Sequence, residues 1–431
     1  MNSIKQDGLL YPIVIVHYLL AASCFTVLAA MLFFSVDTLS GHYFQPKLLA
    51  LTHMAALGWG TLIIFGASYQ LLPVVLETGL FSHKLAWFSF SFFISGLVLL
   101  VYTFWIFDPG IYMQAGGIFL LTGILLFGIN IYLTGRRSKK KDAIEQEFIL
   151  TACIWLLCTA ILGVLLIFNF RYAFLPKDHL QFLKLHAHMG IAGWFLLLTI
   201  GVSAKLLPMF LVSSKPARKF LNLSYYLING ALILFLLDTY RYGINIKTYF
   251  ILLAGAAGIV SYLIFVRSCF TSRIRKAVDP PILNTMLAFV LLAAGLIAAP
   301  FIIFYHLKND ALALRFTALY GTLLFMGWLS ALILGQTFKT LPFIVWVKRY
   351  QHLAGKLKTP LPADLYKKTL LKVQSGAFVV FCLMFFPGLI AASPFFIKLG
   401  LLAFLIAAWG YFFNVLSVVL HKVKNPDHDK L

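Results

Sequence analysis

Apolar stretches long enough to cross a membrane recur along the whole chain. A helix rises about 1.5 Å per residue, so about 20 apolar residues span the roughly 30 Å hydrocarbon core of a bilayer. The hydropathy pattern predicts twelve such spans, at about 11–37, 47–75, 85–107, 111–135, 148–170, 181–211, 220–240, 248–268, 283–306, 314–347, 371–392 and 395–420. Because little chain remains between them, we predict an all-α polytopic membrane protein with a single membrane domain, 1–431.

A Gly-Trp motif occurs three times at nearly constant spacing. Its tryptophans are Trp59, Trp194 and Trp328, which lie 135 and 134 residues apart. A glycine follows each tryptophan after seven residues and a proline after fourteen: Gly66, Gly201, Gly335, Pro73, Pro208 and Pro342. The motif lies on spans 2, 6 and 10. It predicts twelve transmembrane helices arranged as three pseudo-symmetric four-helix repeats, at approximately 1–140, 141–276 and 277–425.

Each residue type in the motif has a structural interpretation. Glycine and other small residues are common where membrane helices approach closely, so we interpret the Gly-Trp pairs as packing contacts between neighbouring spans. Proline lacks an N–H group and is tolerated near helix ends, so we expect the three prolines to mark the inner ends of spans 2, 6 and 10.

Composition and charge support the membrane assignment and orient the chain. The sequence is 61% hydrophobic and 11% charged, yet its net charge is +21. The basic residues cluster after even-numbered spans: Arg136, Arg137, Lys139, Lys140, Lys141, Arg267, Arg273, Arg275, Lys276, Lys348, Arg349, Lys356, Lys358, Lys422, Lys424 and Lys430. The positive-inside rule then predicts that both termini are cytoplasmic. We expect membrane lipid, and no nucleic acid, as the partner of this charge.

Four histidines fall within predicted spans, where a polar side chain is costly and often functional. His53 lies seven residues after Pro46 on span 2, roughly 10 Å below the outer end of the span at helical rise. His188 has the equivalent place in the second repeat, and His186 lies half a turn above it. We interpret His17, on the antiparallel span 1, as a core histidine that donates to a backbone carbonyl one turn away.

The His-Ala-His sequence on span 6 carries the clearest chemical signal. Residues i and i+2 of a helix point about 200° apart, so His186 and His188 serve opposite faces and cannot hold one ion together. Two imidazoles facing each other across a gap suit a six-coordinate haem. We predict His53 and His188 as the axial pair of a low-spin haem b. We predict His186 as the ligand of a second, five-coordinate haem toward span 10. The alternative is that Gly190 and Gly193 serve helix packing alone.

Three arginines near the outer ends of spans are predicted partners for haem propionates, because guanidinium binds carboxylates in a bidentate manner. They are Arg171, Arg241 and Arg315.

The topology and histidines together resemble the catalytic subunit (subunit I) of haem–copper oxidases. The chain is most similar to C-type (cbb-type) oxidases, nitric oxide reductases and the NnrS-like membrane proteins. Span 2, from Thr52-His53 through Phe65-Gly66 to Leu72-Pro73, is similar to the family's second helix, whose histidine holds the low-spin haem. The resemblance covers most of the chain as topology, and only spans 2, 6 and 10 as motif.

The chain also departs from that family. Its tenth helix carries a His-x-His pair that binds both haems, but span 10 here has Thr322 at the motif position and no histidine. The copper site needs adjacent histidines on the seventh helix, and the span from Leu221 to Tyr240 has none. We therefore expect no copper site, and a haem gap between spans 2 and 6.

Two classes of function remain open. The first is a haem protein for electron transfer or for binding or chemistry of a small diatomic such as nitric oxide; as an enzyme it would be an oxidoreductase. An electron-donor or oxidase-type partner subunit would then be expected. The second is a cofactor-free carrier, scaffold or assembly partner that kept the oxidase fold.

Overall fold

The computed structural model describes residues 2–137, 143–274 and 278–423, and in these ranges the chain forms helices and no β-sheet. Twelve helices are long and apolar enough to cross a membrane. They are α1 (Leu10–Phe34), α2 (Pro46–Pro73), α3 (His83–Ile106), α4 (Ile111–Arg136), α5 (Ile144–Tyr172), α6 (His179–Leu211), α7 (Lys219–Tyr242), α8 (Lys247–Thr271), α9 (Pro280–Leu307), α10 (Leu312–Leu353), α11 (Lys368–Ala391) and α12 (Pro394–Val419). The predicted all-α polytopic membrane protein is confirmed. Of the predicted basic clusters, Lys139, Lys140, Lys141, Arg275, Lys276, Lys424 and Lys430 lie outside the described residues.

Helices α2, α6 and α10 meet at the centre of the bundle. A Cβ atom built on Gly60 of α2 would lie 2.8 Å from Leu329 of α10 and 2.9 Å from Phe195 of α6. Glycine at this position therefore lets three helices approach at one level. The remaining helices surround this centre, and α3 with α4, α7 with α8 and α11 with α12 pack as antiparallel pairs.

In each of the three peripheral helix pairs, a polar side chain of the second helix hydrogen-bonds to the backbone of the loop before the first. Asn130 of α4 both donates to the Ser82 carbonyl and accepts from the Ser82 N–H. Asn414 of α12 makes the same two bonds with the backbone of Lys367. In the second pair, the Ser268 hydroxyl of α8 accepts from the Ala217 N–H. Each pair is thus joined to the loop that precedes its first helix.

The glycine of each motif brings its helix against the preceding one. A Cβ atom on Gly66 would lie 2.4 Å from the Cβ atom of His17 on α1. On Gly201 it would lie 2.7 Å from the Cβ atom of Phe148 on α5, and on Gly335 2.4 Å from the carbonyl oxygen of Pro281 on α9. The interpretation of these residues as packing contacts is confirmed, since no larger residue fits without moving a helix.

The motif tryptophans join the three central helices in one direction around the bundle. Trp59 of α2 donates its indole N–H to the Ser330 hydroxyl of α10, and Trp194 of α6 donates to the Thr61 hydroxyl of α2, both at 3.1 Å. Each acceptor stands two residues after the tryptophan of its own helix. By the same rule Trp328 would donate to position 196, which is leucine. Among the described residues Trp328 Nε1 has no hydrogen-bond partner.

The same three helices share an irregular stretch. α2, α6 and α10 become π-helical over Met54–Thr61, Met189–Leu196 and Leu323–Leu329. Each stretch begins directly after His53, His188 or Thr322 and contains the motif tryptophan. Long π-helical stretches are rare and are frequently found at functional sites, because the wider turn changes which side chains share a face.

The prediction for the motif prolines is partly wrong. Pro73 and Pro208 do lie in the last turn of their helices: Pro73 is the last residue of the apolar span of α2, where the helix continues to Val75, and α6 ends at Leu211. Pro342 does not, because α10 continues as α-helix to Tyr350. At the same end of the bundle two lysines pair with carboxylates: Lys205 with Glu77 at 3.7 Å and Lys339 with Asp279 at 2.6 Å.

Candidate cofactor site

A cavity of about 1070 Å³ lies within the bundle and reaches both sides of α6. Its lining is mostly aliphatic and aromatic, which is typical of sites for large apolar ligands. The lining residues with coordinating, acidic or basic side chains are His42, Asp178, His179, Lys184, His53, His186, His188 and His306. A few phenols and hydroxyls, Tyr320 and Thr322 among them, complete the polar part.

His53 and His186 face each other across the gap between α2 and α6. Their ring centroids are 6.2 Å apart and their planes differ by 29°. His53 Nδ1 is hydrogen-bonded to the Leu49 carbonyl at 2.8 Å, and His186 Nδ1 to the Thr159 carbonyl of α5 at 3.0 Å. Since a carbonyl only accepts, each Nδ1 carries the proton and each Nε2 keeps a lone pair. In the described hydrogen bonds neither Nε2 has a partner.

This arrangement corrects the predicted pairing, in which His188 faced His53. His186 and His188 lie two residues apart on α6, so their side chains point about 200° apart and only one of them can face His53. His188 accordingly lies on the other side of α6. Its Nδ1 donates to the Lys184 carbonyl at 2.8 Å, and its ring packs 4.5 Å from Phe235 of α7 and 6.2 Å from Tyr320 of α10. The prediction that the two histidines of α6 serve opposite faces is confirmed.

The spacing of His53 and His186 fits two axial ligands of one metal. A metal–imidazole bond is about 2 Å long and a ring nitrogen lies about 1 Å from its centroid, so coaxial imidazoles on one ion have centroids roughly 6 Å apart. The His186 ring packs closely against Gly163 of α5. A Cβ atom on Gly163 would already lie 2.9 Å from His186 Cε1. The residues present therefore fit a haem held by two imidazoles.

The three predicted propionate partners do not line the cavity in the part of the chain that is described. Arg171, Arg241 and Arg315 are exposed at the ends of α5, α7 and near the start of α10. Arg315 donates to the Ile390 carbonyl of α11, and the Arg241 guanidinium packs over the ring of Tyr242. Both side chains are held outside the bundle. The cation that does line the cavity is Lys184, one turn above His188 on the same face of α6.

His17 is a core residue. It is fully buried, its Nδ1 donates to the Ile13 carbonyl at 2.7 Å, and its ring packs against Tyr69 and Phe90. The interpretation of His17 as bonded to a carbonyl one turn away is confirmed.

Two features of the site were missed from the sequence. Tyr320 and Lys184 are single residues in apolar surroundings, and nothing about them in isolation indicates a site. The repeat alignment could have found Tyr320, because it stands eight residues before Trp328 just as His186 stands eight before Trp194.

Comparisons with known proteins add no identification. No protein-family model matches the chain, and no curated protein shows significant similarity to it. Within the described residues no group of three or more His, Cys, Asp or Glu side chains has an arrangement that could hold a metal ion.

Proposed function

We propose that this protein is a haem-binding membrane protein in which His53 and His186 are the axial ligands of a low-spin haem b. The observation that carries the proposal is the pair of imidazoles at 6.2 Å, each with Nδ1 bonded to a carbonyl and Nε2 toward a large apolar cavity. Backbone hydrogen bonds of this kind fix the tautomer and orientation of a ligating histidine.

A haem with two imidazole ligands supplies one-electron transfer, since both axial positions are filled. The chain itself holds the two imidazole rings in place. By burying the haem it excludes water and sets the reduction potential. Most of the lining is apolar, and Asp178 is the one acidic residue among the described residues that line the cavity. The function this arrangement supports is electron transfer. A small diatomic such as nitric oxide is the species acted on elsewhere in the protein.

We also propose the finer architecture: three repeats at approximately 1–140, 141–276 and 277–425, with both termini on the cytoplasmic side of a bacterial inner membrane. The directional tryptophan bonds, the three π-helical stretches and the hydrogen-bonded peripheral helix pairs support the repeat. The basic residues at the ends of even-numbered helices support the orientation. The repeat and the histidines together support a distant relationship to subunit I of haem–copper oxidases.

Optical spectroscopy tests the proposal. The detergent-purified protein should show a Soret band, and on dithionite reduction sharp α and β bands. His53→Ala and His186→Ala should each remove these bands. His17→Ala is the matched control, because His17 is an intramembrane histidine with the same carbonyl bond and no place in the cavity. A colourless protein from haem-replete cells would refute the haem and favour a cofactor-free carrier or scaffold.

A further inference from the structure

The part of the cavity on the His188 side of α6 extends between α7, α8 and α9, and we call it the lateral lobe. Aliphatic side chains make up most of its lining, for example Leu232, Ile251 and Leu296. On α7 the lining runs from Thr239 to Ile228, which is eleven residues or about 16 Å at helical rise. The lateral lobe therefore has the length and the apolar character that suit a lipid chain.

The lateral lobe approaches the bilayer between α8 and α9. The Tyr249 hydroxyl of α8 donates to the Pro300 carbonyl of α9 at 3.4 Å, and the rings of Tyr262 and Phe289 lie 6.0 Å apart. No other hydrogen bond or ring contact is described between these two helices. Between the two contacts Gly255 of α8 lines the lobe and is partly exposed. This seam gives a molecule dissolved in the membrane a way into the lobe.

Two polar side chains stand at the outer end of the lateral lobe. The His188 ring of α6 packs 4.5 Å from the Phe235 ring of the antiparallel α7. Lys184 lies one turn outward from His188, and Thr239 lies one turn outward from Phe235. Both residues line the cavity. They therefore lie at one level, on the faces where α6 and α7 meet.

These two side chains have polar atoms that the described residues leave unpaired. Thr239 is 1% exposed and its Oγ1 has no hydrogen-bond partner. No described ion pair or hydrogen bond engages the Lys184 ammonium. Asp178 lies six residues earlier, about 9 Å farther out at helical rise, where it accepts from the Leu180 N–H. Because an ammonium in an apolar cavity is costly without an anion, and a buried hydroxyl is costly without a partner, the pair suits an anionic head group.

From these contacts we propose that the lateral lobe binds a long-chain fatty acid. One carboxylate oxygen accepts from the Lys184 ammonium, and the other accepts from the Thr239 hydroxyl. An extended chain advances about 3.6 Å for every three bonds, so about 16 Å holds a chain of roughly 14 carbon atoms. The lobe is one part of a cavity of about 1070 Å³, which favours a ligand with one chain over a phospholipid with two. This inference goes beyond the proposed function, because α6 separates the lobe from His53.

Crosslinking of a fatty acid that carries a diazirine on its chain tests the inference, with the purified protein in phosphatidylcholine nanodiscs. Labelled residues should lie on α7, α8 and α9, and myristate should compete better than its methyl ester. Lys184→Met should raise the concentration of myristate needed for competition about tenfold, through loss of a charged hydrogen bond, and change competition by the ester far less. Lys177→Met is the matched control, because Lys177 is an outer lysine that donates to the Tyr240 carbonyl and does not line the cavity.

A pair of glycine variants tests the place of the chain. Gly255→Leu puts a side chain into the lobe, where the added Cβ atom meets only an ordinary 3.5 Å contact, and should abolish the labelling. Gly230→Leu on α7 should leave the labelling unchanged, because Gly230 does not line the cavity and nothing lies within 4 Å of its added Cβ atom.

Three results would overturn the inference. The first is competition by the methyl ester as strong as that by myristate, which would indicate a neutral occupant such as a quinone. The second is an equal effect of Lys184→Met and Lys177→Met, and the third is equal labelling of the two glycine variants. His53→Ala removes a ligand of the proposed haem and should leave the labelling unchanged. Failure of the haem proposal is therefore distinguishable from failure of this one.

Discussion

Replacing Thr61 by valine removes the acceptor for the Trp194 indole N–H while keeping the shape of the side chain. Thr61 is fully buried, Trp194 is 1% exposed and their bond is 3.1 Å long. A buried donor left without a partner costs about 1–3 kcal/mol. Hydrogen bonds between transmembrane helices average about 0.6 kcal/mol and reach about 1.7 kcal/mol. We therefore expect Thr61→Val to lower the free energy of unfolding by about 1–2 kcal/mol.

Position 196 gives the complementary test, because a leucine stands there where the Trp328 indole N–H would need a hydrogen-bond acceptor. Leu196→Thr and Leu196→Val differ only in a hydroxyl in place of a methyl, and both lose the same bulk. In an apolar core valine would be the more stable of the two. If Trp328 Nε1 gains a partner, the threonine variant should instead be more stable by about 1 kcal/mol. Titration with dodecyl sulfate in mixed micelles measures the free energy of unfolding. It compares Thr61→Val with the unchanged protein and Leu196→Thr with Leu196→Val. Two results would refute the stabilising role of the tryptophan hydrogen bonds. One is a Leu196→Thr variant less stable than Leu196→Val, and the other is a Thr61→Val variant as stable as the unchanged protein.

A further prediction concerns the cavity. Gly163→Ala should displace His186, because the added Cβ atom would lie 2.9 Å from its ring, and so weaken the reduced α band; Gly190→Ala meets only an ordinary 3.5 Å contact and should leave the band unchanged. An α band equally strong in both variants would count against His186 as a ligand.

The fold follows closely from the sequence because bilayer thickness fixes helix length. All twelve predicted spans are present among the described residues, and the largest difference in a boundary lies at the end of α10. Pro342 read as a helix end, yet α10 continues to Tyr350. The loss of one N–H can be absorbed where neighbouring helices supply packing, and the chain around Pro342 is buried.

The site was less predictable, because hydropathy fixes neither helix rotation nor the path of a long side chain. The sequence identified His53, His186 and His188 and the opposite faces of α6, but paired the wrong two rings. The repeat gives His53 and His188 the same depth along their spans, but depth does not decide which side of α6 a side chain faces. Each π-helical stretch contains the Gly-Trp motif, but its composition does not distinguish a π-helix from an ordinary apolar α-helix.

Rescue by free imidazole tests the bis-histidine haem most directly. His53→Gly would leave a vacancy beside the haem while Leu49 and the facing His186 remain in place. The account predicts that the six-coordinate spectrum is lost in this variant and returns when millimolar imidazole is added, with no such response in His17→Gly. Six-coordinate bands that persist in His53→Gly without imidazole, or that imidazole never restores in a folded, haem-loaded variant, would contradict axial ligation by His53.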